Sequence, residues 1–316
     1  MEQTNCDRPL LSICIPTYNG GEELREMLDC LLSSIGSRKD IDIVVSDNCS
    51  ESETKKIIEG YVAKGKIRAN FNEENLGFNG NLMVLLEKFA KGDYCWIIGD
   101  DDFIDPDTIK LLLPLLKERQ IDYFSVNSKS LTRNKYEELR IPQNRELNVI
   151  VGDFFSCIDS NASSGNVLGT FMSSHIFKLD AIKKVGIKEE YRSNSWDNYL
   201  NVFPNSNLML DAFHTSSNCA CIKTPLITAL IREKTYSNKW DFLAKTILPN
   251  LYSHYVEIAG TPSKLINSER VMNHVIVWTN FRHFLNCEFR LVNFKTLLSF
   301  KTVKTLFYRI SKIKSS

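Results

Sequence analysis

Three carboxylates stand in a row at Asp100, Asp101 and Asp102, directly after the apolar run Trp96-Ile-Ile-Gly99. Like charges packed where a buried strand emerges repel one another, so the cluster costs stability unless a cation sits there. Hard divalent ions such as Mg²⁺ or Mn²⁺ take carboxylate oxygens and accept phosphate oxygens as their remaining ligands. The competing reading is an acidic loop leading into the next helix, with Asp105 before Pro106 as its cap. Other polar groups recur where apolar runs end: Pro16-Thr17-Tyr18-Asn19, Asp47-Asn48 and the stretch from Asn72 to Asn81. Neither G-x-x-x-x-G-K-[ST] nor G-x-G-x-x-G occurs, which argues against a kinase, ATPase or dehydrogenase. A nucleotide held through its diphosphate by metal, rather than by a glycine loop, remains open.

The elements that must position these groups alternate. Leu10 to Ile15 is a short apolar run that Pro16 stops, as a buried parallel strand should be. Leu24, Met27, Leu28, Leu31, Leu32 and Ile35 then recur at helical spacing. Ile41 to Ser46 reads as a strand, followed by a helix with Ile57, Ile58, Tyr61 and Val62 inward. Ile67 to Phe71, a helix from Asn79 to Lys91, and Tyr94 to Ile98 complete the pattern. Such alternation implies right-handed crossovers and a parallel sheet with helices on both faces. Ligands of these sheets bind outside the carboxyl ends of the strands, where all four polar stretches fall. Turn chemistry alone also explains any one of them, since Asn, Asp and Gly are the residues that make turns.

The bulk composition sets limits. A chain of 316 residues with 43% apolar and 24% charged residues can bury a substantial core and is not a disordered protein. Its nine cysteines are scattered without a C-x-x-C pair, so a reducing, cytoplasmic setting is expected. No signal sequence and no run of membrane-spanning length is visible. The net charge of +1 hides an asymmetry: Arg290, Lys295, Lys301, Lys304, Arg309, Lys312 and Lys314 follow Glu288 with no acid among them. Apolar residues recur among these cations at three- and four-residue steps, which suits an anionic membrane surface. A helix packed on the body with solvated lysines is the alternative. No nucleic-acid fold motif is present, so no nucleic-acid partner is expected.

Taken together, Ser12-Ile-Cys-Ile-Pro-Thr-Tyr-Asn19, Val44-Val-Ser-Asp-Asn48, Asn75-Leu-Gly77 with Asn81, and Gly92 through Asp102 resemble family 2 glycosyltransferases of the GT-A fold. The resemblance covers residues 10 to 115 strongly and 150 to 240 more weakly. The Gly-Asp-Asp-Asp variant preceded by Trp96 is most similar to the bacterial abequosyltransferase-like branch, which builds surface polysaccharides such as O-antigen or capsule. The implied fold class is α/β, a Rossmann-like GT-A domain with a mostly parallel central sheet and a C-terminal helical extension. Residues 1–115 would form its nucleotide-sugar half, 116–240 its acceptor half, and 241–316 the helical extension with the basic tail. The resemblance implies that Pro16, Thr17, Tyr18 and Asn19 line the nucleotide pocket and that Asp47 accepts a hydrogen bond from a pyrimidine base. It also implies that Asp100 and Asp101 lie near the ribose or donor sugar. Asp102, assisted by Asp100, would hold Mn²⁺ or Mg²⁺. Asn75 and Asn81 are further candidates for donor contact, with Asn81 alternatively beginning or capping its helix.

Past a polar, aperiodic stretch from Phe124 to Asn148, read as a surface excursion, Gly165 to Phe177 resembles the segment that crosses beneath the sugar site. In many inverting relatives a Glu-Asp pair follows, the aspartate acting as general base at a helix start. Trp196-Asp197 stands at that place here, so the glutamate is missing and Asp197 is the candidate base. The same aspartate also suits an N-cap of a helix from Asn198 to Phe203. Asp211 is the runner-up. Arg232 is a candidate clamp on the diphosphate or a salt bridge closing the fold. His175 and His214 are weighed as additional metal ligands against ordinary structural histidines; His254, His274 and His283 carry no ligand spacing. The expected function is metal-assisted, inverting transfer of a sugar from a UDP-, CDP-, GDP- or dTDP-activated donor to a saccharide hydroxyl. The acceptor is expected to be lipid-linked at the inner face of the cytoplasmic membrane, with residues 289–316 as the peripheral contact. The alternatives are a sugar-nucleotide nucleotidyltransferase, disfavoured because no Lys or Arg follows Pro16 until Arg25, and a non-catalytic glycan-binding module.

Overall fold

In the computed structural model, which describes residues 8–131, 146–163, 166–230 and 242–285, the first apolar run becomes β1 (Leu11–Thr17), buried along its whole length. It lies parallel between β2 (Ile41–Asp47) and β4 (Tyr94–Ile97), and β3 (Arg68–Phe71) pairs with β2. Helices α1 (Gly21–Ile35), α2 (Ser52–Ala63) and α3 (Gly77–Val84, continued by a π-turn at Leu85–Phe89) make the crossovers. The register pairs Thr17 with Asp47 and Asp47 with Phe71, so these strand ends finish level.

β1 runs through Pro16 instead of stopping there. Cys14 O accepts the Ile98 N–H and Thr17 O accepts the Asn48 N–H, so residue 16 faces the β4 side. Pairing with β4 has ended at Cys14–Ile97, and the N–H that proline lacks has no ladder partner to lose.

After the acidic turn come β5 (Asp102–Ile104), α4 (Thr108–Glu118), β6 (Tyr123–Leu131), β7 (Val149–Gly152) and α5 (Phe154–Ser160). They are followed by β8 (His175–Lys178), α6 (Leu179–Val185), α7 (Tyr199–Val202), α8 (Pro204–Phe213) and β9 (Cys219–Leu230). All the strands join one nine-stranded sheet in the order β3-β2-β1-β4-β8-β6-β9-β5, with β7 also on β9. The β3-β2-β1-β4 part is parallel, whereas β8 runs antiparallel to both β4 and β6.

Two local expectations give way. Tyr123–Leu131 is a strand, not a surface excursion, because β8 and β9 pair with it from either side and satisfy a polar backbone. Asp105 does not cap α4, which begins after Asp107. Its buried carboxylate accepts from Lys129 at 2.8 Å and Thr228 at 3.1 Å, so β6 and β9 claim it.

Alternate strand residues feed two cores. Ile13, Ile15, Ile43, Val45, Tyr94, Trp96 and Phe124 pack with α1 and α4 on one face. Cys14, Val44, Cys95, Ile97, Tyr123 and Phe177 pack on the other with α3, α5 and α8. Two later helices, α9 (Leu248–Ala259) and α10 (Ile266–Leu285), extend the second core. Tyr255 of α9 donates to Ser206 O at 2.8 Å, and the Asp159 carboxylate accepts the Asn267 and Ser268 N–H groups at the start of α10. A carboxylate there also meets the positive end of the helix dipole. No described helix is long and apolar enough to cross a membrane. Arg232 and the basic segment 289–316 lie outside the described residues.

Candidate active site

The carboxyl ends of β1, β2 and β4 open into a cleft of about 690 Å³. Pro16, Thr17, Tyr18, Asn48, Asn75, Asn81 and Asp100 to Asp102 line it from the first half of the chain. Phe171, Met172, Trp196, Val202 and Phe203 line it from the second.

The acidic turn is wired into its surroundings from both sides. Thr17 Oγ1 donates to Asp100 Oδ2 at 2.6 Å, tying the end of β1 to the end of β4. Gly20 makes this approach possible, since a Cβ there would lie 2.6 Å from Thr17 Oγ1 and 2.7 Å from Asp100 Oδ2. Ser173 donates its hydroxyl to Asp102 Oδ2, and Ser173 Oγ accepts the Gly99 N–H at 2.9 Å. The carbonyl of Ser173 in turn accepts the indole N–H of buried Trp96 at 2.8 Å. Asp102 is buried, and burial followed by the charge of Asp101 raises its pKa to about 7, against the opposing hydrogen bond from Ser173. A cation would remove that penalty.

This donor set fits a sparse hard-ion site. Among the described residues no three His, Cys, Asp or Glu side chains form a ready cage. Mg²⁺-type ions are commonly held by one or two carboxylates with substrate phosphates completing the shell. Asp102 and Asp100 supply such a pair, and no Lys, Arg or His is among the described lining residues. A diphosphate entering this cleft therefore meets carboxylates first, which favours a cation between them.

Asp47 closes β2 with only 2% exposure. Its Oδ2 accepts the Ser50 N–H at 3.2 Å, but its Oδ1 is buried with no hydrogen-bond partner among the described residues. A stranded carboxylate oxygen costs free energy until a donor reaches it. Beside it, Asn48 donates to Asn75 Oδ1 at 2.8 Å and Gly77 O at 3.1 Å, fixing the turn before α3. Asn81 neither begins nor caps α3; it is buried in the middle of the helix. Its amide accepts from Ser46 and Asn72 and donates to Ser46 O, so at the cleft wall it braces β2 and the residue that follows β3. Exposed Asn19 sits at φ 55° and bonds Ser50 and Glu51, outside the cleft lining.

Asp197 is exposed, next to the lining residue Trp196. It is not the N-cap of α7; Asn198 holds that position in a capping box with Asn201. Asp197 Oδ1 instead accepts from the side chains of Asn201 at 2.6 Å and Asn198 at 2.8 Å. Hydrogen bonds from Asn201 and then Ser195 hold its pKa below the usual carboxylate value and keep it ionised. Asp211 is engaged elsewhere, accepting from Tyr191 and Lys188. His175 is buried, with Nε2 donating to Gly169 O at 2.7 Å and Nδ1 accepting from the Tyr123 hydroxyl at 2.8 Å. His214 Nδ1 bonds Leu210 O at 3.0 Å, within its own helix end. Both histidines are thus committed to structural bonds. Ser173, Phe171 and Met172 belong to the segment Gly165 to Phe177, which the sequence marks only as a whole. No residue pattern signals a serine beneath a carboxylate.

Residues 12–164 match the family model for glycosyl transferase family 2. Over 287 residues the chain is 28% identical to abequosyltransferase RfbV of Salmonella typhimurium strain LT2, covering 85% of this chain and 80% of that one. Its fold is similar to S. aureus TarS 1-349 in complex with UDP-GlcNAc, with a TM-score of 0.55, 18% identity and coverage of 92% and 76% of the two chains. It is similar also to the mannosyltransferase PcManGT from Pyrobaculum calidifontis in complex with GDP-Man and Mn²⁺, with a TM-score of 0.56, 14% identity and coverage of 95% and 81%. The chain carries a glycosyl transferase family 2 domain on a GT-A fold, and it is a glycosyltransferase.

Proposed function

We propose that this glycosyltransferase moves a sugar from a nucleoside-diphosphate donor to a hydroxyl of a saccharide acceptor during assembly of a bacterial surface polysaccharide. The observation that carries the reading is the acidic turn. Asp102 is buried among like charges, in a cleft whose described lining offers no positive side chain. Names among the relatives agree in kind: one is an abequosyltransferase, and two similar folds were captured with UDP-GlcNAc and with GDP-Man and Mn²⁺.

In this reading the base and ribose lie along Pro16 to Tyr18, with Asn75 beside them. The Asp47 oxygen, buried outside the cleft lining and without a partner among the described residues, accepts an N–H of the base. Asp102 and Asp100 would hold a divalent cation, which would neutralise the charge gathering on the departing diphosphate. As the bond from anomeric carbon to phosphate oxygen breaks, the acceptor oxygen bonds that carbon from the opposite face. Its proton passes to Asp197, which is held ionised by its amide donors. Displacement from the opposite face inverts the anomeric centre. Arg232 serves as a second positive contact to the diphosphate. The acceptor is lipid-linked at the inner face of the cytoplasmic membrane, and the basic segment 289–316 holds the enzyme there.

A panel of UDP-, CDP-, GDP- and dTDP-sugars, each with and without Mn²⁺, tests the reading by thermal stabilisation. One donor class should raise the unfolding midpoint, and only with the metal present. Stabilisation by none of them, or equal stabilisation in EDTA, overturns it.

A further inference from the structure

The segment from Ser193 to Asn198 carries the cleft residue Trp196 and belongs to no helix or strand. Side-chain amides hold it to the opposite half of the molecule. The Asn79 N–H donates to Asn194 Oδ1 at 3.1 Å, while Asn194 Nδ2 donates to Leu76 O at 2.8 Å. Buried Asn79 spends its own Nδ2 on Ser193 O and on Asn201 O, the latter at 2.6 Å. Gly77, at φ +70°, leaves room for this: a Cβ there would lie 2.2 Å from Asn194 Nδ2.

Both ends of the clasp lead to groups with chemistry. On the donor side, Leu76 and Gly77 belong to the turn fixed by the cleft residues Asn48 and Asn75. Across the gap, Asn201 takes Asn79 on its backbone carbonyl and donates its side chain to Asp197 Oδ1 at 2.6 Å. A continuous run of hydrogen bonds therefore joins the donor-side turn to the Asp197 carboxylate. Trp196, between the two, sits at φ 56°, where a bulky side chain stays only if its surroundings fix it.

We propose that Asn79 and Asn194 are positioning residues, a clasp that sets Trp196 and Asp197 at their working distance from the bound nucleotide sugar. This deepens the reading above, and rests on it. Misplacing a reacting group by about 1 Å costs on the order of 10²-fold in rate. A clasp that spans the cleft bears on that distance directly, while leaving each half's own contacts intact.

The test compares Asn194→Ala, Gly77→Ala and the double variant with the full-length wild type. The donor is whichever nucleotide sugar of the panel stabilises the wild type with Mn²⁺, and octyl glycosides of common hexoses are the acceptors. Each single variant should lower kcat for nucleoside-diphosphate release by roughly 10–100-fold. In Asn194→Ala donor affinity should stay within about twofold and the thermal midpoint should hold, whereas Gly77→Ala, strained at φ +70°, should lower the midpoint by itself. The double variant should be no worse than the poorer single one, because both act on one contact. Amides of residues 195–198 should exchange with deuterium about tenfold faster in each variant, with or without donor. Unchanged exchange and rate, or donor affinity and midpoint falling along with the rate in Asn194→Ala, would overturn the clasp. A wild type that binds no nucleotide sugar sinks the reading of the cleft itself, and the clasp's role with it.

Discussion

At the scale of single residues, the acidic turn sets a cost against a use. Burial and the neighbouring charges make ionised Asp102 unfavourable in the metal-free protein. Asp102→Asn keeps the shape and removes the charge, so transfer should be abolished. The unfolding midpoint measured in EDTA should hold or rise, and metal-dependent donor stabilisation should vanish. An active Asp102→Asn enzyme would remove this residue from the metal site. Asp197→Asn should act differently. Turnover should drop by about 10²–10⁴-fold, the usual contribution of a positioned base, with donor affinity barely changed. A collapse of donor binding at near-normal rate would mark Asp197 as structural. Much of this was legible beforehand, because the strand-end rule gathers Thr17, Asn48 and Asp100 to Asp102 from type and order alone. Asp197 was legible only as a candidate: its partners, Asn198 and Asn201, read as ordinary helix-start residues until the segment's path is known.

At the scale of elements, alternation of apolar runs marked the four parallel strands β1 to β4, though not their order in the sheet, since each is followed or preceded by a helix that packs on it. β6 escaped notice for a physical reason. Its second part, Asn127 to Leu131, is polar and only partly buried, and backbone pairing to β9, not apolar periodicity, keeps it a strand. The short turn carrying Ser173 was equally silent, although it supports Asp102 and Gly99 together. Ser173→Ala removes that support and leaves the carboxylates in place. The Mn²⁺ concentration for half-maximal activity should rise about 10–100-fold, as for other groups that hold a metal ligand from behind. The rate at saturating Mn²⁺ should stay near the wild-type value. An unchanged metal requirement would show that Asp102 needs no such brace.

For the whole molecule, one buried histidine contributes to the acid response. Burial lowers the pKa of His175 to about 4 from 6.5, so it is neutral in the folded chain while the unfolded chain takes up a proton. Its contribution is fully present above pH 6.5 and is lost as pH falls toward 4, about 3 kcal/mol in all. Asp102, raised to about 7, works in the opposite sense over the same range, so the His175 share is read as the difference between wild type and His175→Gln in denaturant titrations from pH 7 to 4; an equal slope in both proteins would assign the acid effect elsewhere. The basic segment makes a separate prediction from sequence alone. Deleting residues 289–316 should release the protein from anionic vesicles, with each basic residue worth roughly 1 kcal/mol at the surface. Indifference of the full-length chain to such vesicles at low salt would instead make the segment part of the body. The path of the sheet between Asp100 and Asp102 has a further consequence. Asp100 follows β4 and is tied to β1, whereas Asp102 opens β5 and pairs with Ala229 of β9, at the far end of the strand order. Two peptide steps thus carry the chain from one half of the sheet to the other, making the acidic turn a seam as well as a site. Random mutagenesis scored by growth or colony phenotype will merge the two roles. Substitutions here will register as inactive whether they strip charge from the donor or unstitch the halves. Only a parallel screen for soluble, protease-resistant protein will separate lost chemistry from lost assembly.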